Sequence, residues 1–154
     1  MTIRIIIPGK LSLYLKNVYN NYIDKLKRFV KIEVIFVQLG GNLNKENTSS
    51  IINKEEKNIL EKIPKESYIV LLDVKGQQKS SMELAGIIEK NMNHSKNITF
   101  IIGGPCGIND SLRKKSDICL CLSKMTFTHE TVLVLMLEQI FRSFKIIKGE
   151  PYNY

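Results

Sequence analysis

Isoleucines mark the first element of the chain. Ile3, Ile5 and Ile7 alternate with Arg4 and Ile6 before Pro8-Gly9 ends the run, which predicts a short, mostly buried strand. Ser12 can cap a helix in which Leu15, Val18, Tyr22 and Leu26 recur at helical spacing. Residues 31–37 predict a second strand with Ile32, Val34 and Phe36 on one face. The stretch 40–50, rich in Gly, Asn and Ser, reads as a loop. Ile52, Glu55, Glu56, Ile59, Leu60 and Ile63 then make an amphipathic helix that Pro64 closes. Residues 68–72 form a compact apolar strand ending at Asp73, with Gly76 in the loop beyond. Ser80 or Ser81 caps a helix that turns Leu84, Ile87 and Ile88 inward. Residues 98–102 are another buried strand, running into Gly103-Gly104-Pro105-Cys106-Gly107, and a short helix starts near Asn109 or Asp110. Residues 118–122 are the last strand, 123–128 a loop, and about 131–147 a long helix. The tail from Gly149 cannot stay helical past Pro151.

Strands alternating with helices imply an α/β fold, a mainly parallel sheet with helices on both faces. No repeat or linker interrupts the pattern, so residues 1–154 read as a single domain. The last helix carries two apolar stripes. Val132, Met136, Ile140 and Ile147, with Phe144 beside them, form one; Leu133, Leu137 and Phe141 form the other. Either the helix is central in one core or one stripe is a subunit interface, and spacing alone leaves both open.

Charge adds a partner class. The net charge is +8 and the pI about 9.4, with the basic excess in both halves of the chain. A compact basic domain suits a polyanion, nucleic acid being the commonest, although solvated charge without a partner gives the same composition. The three cysteines, Cys106, Cys119 and Cys121, form no disulfide framework and no metal-ligand spacing, which points to a reducing compartment and to no metal. The N-terminal apolar run is too short for a signal-peptide core, and no window reaches the ~18 apolar residues of a membrane helix. A soluble cytoplasmic protein is expected.

In an open α/β sheet, ligands lie outside the carboxyl ends of the strands. Three strands here end in unusual loops: Asp73-Val74-Lys75-Gly76, the glycine loop at 103–107, and Leu122-Ser123-Lys124-Met125-Thr126-Phe127. Adjacent Gly103 and Gly104 let a ligand approach the backbone, a tight turn without a ligand being the alternative. The spacing is neither a dinucleotide fingerprint nor a Walker loop. The third loop mixes apolar side chains with the hydroxyls of Ser123 and Thr126, which suits a ligand with an aromatic ring and polar edges.

These loops, in this order, resemble a known family. The carriers are Val70-Leu71-Leu72-Asp73 with Gly76, Ile101-Ile102-Gly103-Gly104-Pro105 with Gly107, residues 122–127 with His129, Leu137-Glu138-Gln139 with Arg142, and Gly149-Glu150-Pro151-Tyr152. Each motif is short, but they run collinearly from end to end. The chain resembles the ribosomal RNA large-subunit methyltransferase H proteins of the SPOUT class. That resemblance implies a SPOUT-type α/β domain with a C-terminal trefoil knot, a homodimer using the second stripe of the last helix, and S-adenosyl-L-methionine as cofactor. It also implies N3 methylation of a pseudouridine in 23S ribosomal RNA on the assembled 70S ribosome. Carried over residue by residue, the cofactor contacts are Leu72, Gly103, Leu122, Ser123, Lys124, Met125, Thr126 and Phe127. Arg142, Tyr152 and His129 are the catalytic candidates.

The chain also departs from the family pattern. Leu133 stands where an Arg is usual, Thr128 where a Pro precedes the His, and Tyr152-Asn153-Tyr154 where the tail is usually Tyr-His-basic. An RNA-binding protein of the same fold without turnover would suit Leu133 and Asn153, and a different small-ligand α/β enzyme would suit the glycine loop alone. Among single residues, His129 is a general base or a packing residue, and His94 is surface. Arg142 contacts RNA or forms an ion pair, and Tyr152 acts or packs. Arg4, Lys10 and Lys124 are phosphate contacts or plain solvated charge. Cys106 has no partner base in the sequence.

Overall fold

In the computed structural model, which describes residues 1–152, the strands are β1 (Thr2–Pro8), β2 (Lys31–Val37), β3 (Ser67–Gln78), β4 (Asn97–Ile102) and β5 (Ile118–Cys121). All neighbours pair in parallel, in the order β2-β1-β4-β3-β5. The helices are α1 (Lys16–Leu26), α2 (Thr48–Leu60), α3 (Ser81–Asn93), α4 (Asp110–Lys115) and α5 (His129–Ile147), with a 3-10 turn at Leu13–Leu15 before α1. Strand alternation divides the core into two. Ile3, Ile5, Ile7, Phe100 and Leu72 face α1, α3 and α5, whereas Ile6, Leu71 and Ile101 meet Ile59 of α2 and Leu112 of α4. Cover on both faces explains why the central strands are apolar at consecutive positions.

Helix starts follow their caps. Ser80, not Ser81, caps α3: its hydroxyl accepts from the Glu83 N–H at 3.1 Å while the Glu83 carboxylate accepts from the Ser80 N–H at 2.7 Å. Asn47 accepts from the Ser50 N–H at 2.8 Å, so α2 begins at Thr48 and takes the end of the expected loop. Ser12 makes no cap bond. Its hydroxyl donates to Glu130 Oε2 at 2.8 Å, and its N–H donates to the same carboxylate, which ties the segment after β1 to the start of α5.

β3 is longer than the expected strand. Leu72 pairs with Leu120, and so does Gln77, so residues 73–76 bulge out and the strand then resumes against β5. Gly76 therefore lies inside a strand and not in a terminal loop. A Cβ there would lie 2.6 Å from the backbone carbon and oxygen of Cys119.

Both stripes of α5 are internal. Leu133, Met136, Leu137 and Ile140 are fully buried, and Phe141 and Phe144 are at most 5% exposed. Rings from α1 and the segment after it cover the second stripe: Tyr22 and Phe29 lie 6.2 and 5.9 Å from Phe141, and Phe29 stacks on Phe144 at 5.5 Å. The stripe Leu133, Leu137 and Phe141 is thus core, which corrects the expectation that it forms a subunit interface.

Two glycines give a matched test. Gly76→Ala should destabilise the fold by about 1–3 kcal/mol, because β5 backbone cannot yield to the new methyl. Gly86→Ala, in α3 with nothing within 4 Å of the added Cβ, should stabilise by about 0.5–1 kcal/mol. Urea denaturation of both variants checks the pair of opposite signs.

Candidate functional site

A cleft of about 840 Å³ opens at the carboxyl ends of β3, β4 and β5. The bulge of β3 forms one side, the glycine loop another, and residues 122–130 the third. Leu72, Ile102, Leu120 and Val132 supply apolar walls. The glycines are dictated from behind. A Cβ on Gly103 would lie 2.6 Å from Ile108 Cγ1, and one on Gly104 would lie 2.8 Å from the Glu55 carboxyl carbon. The Gly107 N–H donates to the Gly104 carbonyl at 3.1 Å and closes the turn, with Gly107 at φ +94° where only glycine is unstrained. The result is backbone bared to the cleft.

The loop after β5 is a compact turn. The Cys121 thiol donates to the Ser123 carbonyl at 3.1 Å, and Ser123 Oγ accepts from the Met125 N–H at 3.0 Å. This turn leaves Met125 and Phe127 exposed at 74% and 40% at the cleft. Thr128 then caps α5, its hydroxyl accepting from the Thr131 N–H at 3.3 Å.

The Asp73 charge in the cleft is paired. Asp73 is buried, which pushes its carboxyl up. The Arg113 guanidinium, with the Lys75 N–H at 3.2 Å, outweighs that and holds it below the usual carboxylate range. Arg113 also donates to Asp110 at 2.6 Å. Burial pushes the His129 imidazole down, against the opposing charge of Glu130, so it is neutral at pH 7. Its ring packs on Gly9, where a Cβ would lie 2.9 Å from Nε2. Burial pushes the Cys106 thiol up, so Cys106 is no nucleophile at neutral pH.

Seven of the eight implied cofactor positions line this cleft: Leu72, Gly103, Leu122, Ser123, Met125, Thr126 and Phe127. Lys124 shares the loop but is exposed and outside the lining. His129 lines the cleft; Arg142 and Tyr152 do not. Arg142 lies 13 residues beyond His129 on α5, about 20 Å along the axis at 1.5 Å per residue. There its Nε and Nη2 donate to Glu138 Oε1 at 3.1 and 2.6 Å, and its Nη1 donates to the Tyr152 carbonyl at 3.1 Å. The guanidinium sits 4.7 Å from the Tyr152 ring centre, and that ring meets Phe141 edge-on at 5.0 Å. Burial, helped by a hydrogen bond with Tyr22, pushes the Tyr152 hydroxyl up to about 12, so it is a proton donor and not a base. Asn153 and Tyr154 lie outside the described residues.

Arg4 is held within the chain. Its Nε and Nη2 donate to Glu33 at 3.0 and 2.7 Å across the β1–β2 pair, and its Nη1 donates to the Lys62 carbonyl at 2.9 Å. His94 is exposed at the end of α3. The Asp73–Arg113 pair and the Ser12–Glu130 clasp carry no sequence signature, since their members lie 40 and 118 residues apart. Glu55 did carry one: it occupies a buried position of α2 one turn from both Ile51 and Ile59. No helix is long and apolar enough to cross a membrane, and no group of three metal-ligating side chains occurs, among the described residues.

Comparison with known proteins places this cleft in a family. The family model described as "Predicted SPOUT methyltransferase" matches residues 1–153. A protein of Thermosipho melanesiensis named Ribosomal RNA large subunit methyltransferase H is 49% identical over the full length of both chains. One of the same name from Ruminiclostridium cellulolyticum is 41% identical, with 99% of each chain covered. Among solved structures, the tRNA (m1G37) methyltransferase of Aquifex aeolicus matches all of this chain and 75% of its own, with a TM-score of 0.59 at 14% identity. A probable methyltransferase of Bordetella pertussis matches 92% of this chain and 93% of its own, with a TM-score of 0.54 at 8% identity. The last two are likenesses of fold; the first three are likenesses of sequence over essentially every residue, and by them the chain belongs to the SPOUT methyltransferases and, within these, to the ribosomal RNA large subunit methyltransferase H family.

Proposed function

We infer that the protein uses S-adenosylmethionine to methylate N3 of a pseudouridine in large-subunit ribosomal RNA, on the assembled ribosome in the cytoplasm, as a homodimer. The observation that carries this reading is the cleft itself. Three loops separated in sequence converge on one cavity of about 840 Å³, within the range of sites for drug-sized ligands. The residues present fit the cofactor. Bare backbone at Gly103 and Gly104 admits close approach, the walls are apolar, Met125 and Phe127 can cover a purine, and Ser123 and Thr126 offer hydroxyls. When bound, S-adenosylmethionine supplies a methyl group on a sulfonium. The trefoil threading of residues beyond β3 belongs to the same reading.

The acceptor nitrogen is an imide, which must lose its proton before it can attack. Of the three catalytic candidates, neutral His129 can take a proton. Arg142, always cationic, and Tyr152, whose hydroxyl stays protonated, can steady the negative charge that spreads onto the acceptor's carbonyl oxygens. Positioning supplies much of the rate in such a displacement. The acceptor base must be unstacked or already in a loop to be reached.

The separation of about 20 Å along α5 argues for the dimer. One chain holds its own Arg142 and Tyr152 outside its own cleft, and in this reading a second protomer presents them. Val74, Met125 and Phe127 at the cleft, with Met82 on α3 and Leu135 on α5, are exposed large apolar side chains suited to that contact.

Calorimetry should show saturable S-adenosylmethionine binding, with stabilisation of about 2.7 kcal/mol at 100 times the dissociation constant. Gly103→Arg should abolish both binding and methyl incorporation into ribosomes from cells lacking their own enzyme; unchanged turnover in that variant would refute the pocket assignment. Light scattering should give twice the 17.7 kDa of one chain. Gly103→Arg and Arg142→Ala should each be inactive alone, whereas a mixed dimer should regain one working site. A mixture as dead as its parents would place cleft and Arg142 in the same protomer's site. Affinity for ribosomal RNA should fall with salt by ~0.7 log units per log unit for each single-strand phosphate contact.

A further inference from the structure

Glu55 carries the one buried side-chain oxygen or nitrogen left without a hydrogen-bond partner among the described residues, its Oε2. The residue is 3% exposed. Its other oxygen, Oε1, accepts from the Gly40 N–H at 3.2 Å. The carboxyl is wedged between two glycine backbones. A Cβ on Gly40 would lie 3.0 Å from Glu55 Cγ, and one on Gly104 would lie 2.8 Å from both the carboxyl carbon and Oε1. Gly104 belongs to the loop that walls the cleft, whereas Glu55 does not line the cleft. The carboxyl therefore backs the loop from α2 and touches nothing in the cavity.

No ion pair joins it to a cation among the described residues. On α2, Lys54 is held by Glu46 at 3.3 Å, and Glu56 accepts from Asn109 at 2.6 Å and from Ser111. On the loop between β2 and α2, Glu46 is that same partner of Lys54. On the glycine loop, the titratable neighbour is Cys106, whose thiol is pushed up by burial, so it places no charge beside the carboxyl. A charge in this place is unpaired and unhydrated, an unfavourable state that neutralisation relieves. Burial accordingly pushes the Glu55 carboxyl up, against the smaller pull of the Gly40 N–H.

We propose that Glu55 is a positioning residue for the cofactor pocket: an uncharged carboxyl on which residues 103–107 are seated, so that ionising this one group unseats the loop and weakens S-adenosylmethionine binding. The proposal rests on the cofactor reading above. The sign is fixed by linkage. A folded-state pKa raised above the unfolded value gives stability that is full below the ordinary glutamate range and is lost as pH rises through the raised value. Wild type should thus lose both stability and cofactor affinity, relative to an always-neutral variant, as pH climbs.

The test compares wild type, Glu55→Gln and Glu55→Ala by calorimetric titration with S-adenosylmethionine from about pH 5 to pH 9. The ratio of wild-type to Gln dissociation constants cancels the ligand's own titration. It should rise with pH, by about tenfold for each unit by which binding shifts the Glu55 titration. A ratio constant across that range overturns the proposal. Glu55→Ala should bind more weakly than Glu55→Gln at every pH, because the seat is gone; equal affinity overturns the seating role. Hydrogen exchange of amides 103–108, measured on the free proteins at matched pH, needs no cofactor. Faster exchange in wild type than in Glu55→Gln at alkaline pH supports the seat, and identical protection removes it. If wild type binds no cofactor at all, the cofactor reading fails by itself, and the exchange comparison still decides whether Glu55 holds the loop.

Discussion

The apolar girth of α5 is the constraint on which the rest of this structure depends. A helix with two buried stripes must be covered on two sides. The sheet covers one, and α3 with the rings of Tyr22 and Phe29 covers the other. That packing fixes both ends of the helix. Its first residue, His129, is held at the cleft rim against Gly9, and Glu130 beside it holds Ser12. Its far end carries Arg142, which with Tyr152 forms a closed cluster around Phe141. The same buried stripes that make the fold stable therefore keep the cleft and the Arg142–Tyr152 pair apart within one chain.

Much of this was legible from the chain alone. Each strand starts within about a residue of its apolar run, and the parallel pairing follows from strands and helices taking turns. The three loops at strand ends were readable because glycine and proline punctuate them, and the family resemblance assigned them a ligand. Other features depend on partners remote in sequence. The residues 73–76 bulge exists because β5 pairs on both sides of it, a fact set by Leu120 and invisible in the local sequence around Gly76. Periodicity showed two stripes on α5 but could not say what covered the second, because Tyr22 and Phe29 belong to a segment more than a hundred residues earlier. Nor could spacing place Arg142, since a site residue is defined by what surrounds it and not by the helix that bears it.

Two buried carboxyls near the cleft show how environment assigns role. Asp73 and Glu55 are both withdrawn from water. Asp73 meets the Arg113 guanidinium and stays ionised, a fixed charge in the bulge of β3. Glu55 meets only the Gly40 N–H and two glycine backbones, and the neutral acid is favoured. The glycines of the loop are accordingly not free choices. Gly103 is held to glycine by Ile108, and Gly104 by Glu55, so the bare backbone facing the cleft is a consequence of packing on its other side.

This also bears on the positions where the chain departs from its family's pattern. Thr128, in place of the usual proline, caps α5 through its hydroxyl, so the start of the helix keeps a local device that fixes its entry. Leu133, in place of the usual arginine, is wholly buried in the core beneath the cleft and adds packing where a guanidinium would need a polar partner. Neither change reaches the backbone of the glycine loop or the turn at 122–127. In that loop Gly103 and Gly104 are backed by the Ile108 and Glu55 side chains, and Gly107 is kept by its φ of +94°. Arg142 is fixed differently, by side-chain and tail contacts, donating to Glu138 Oε1 and to the Tyr152 carbonyl.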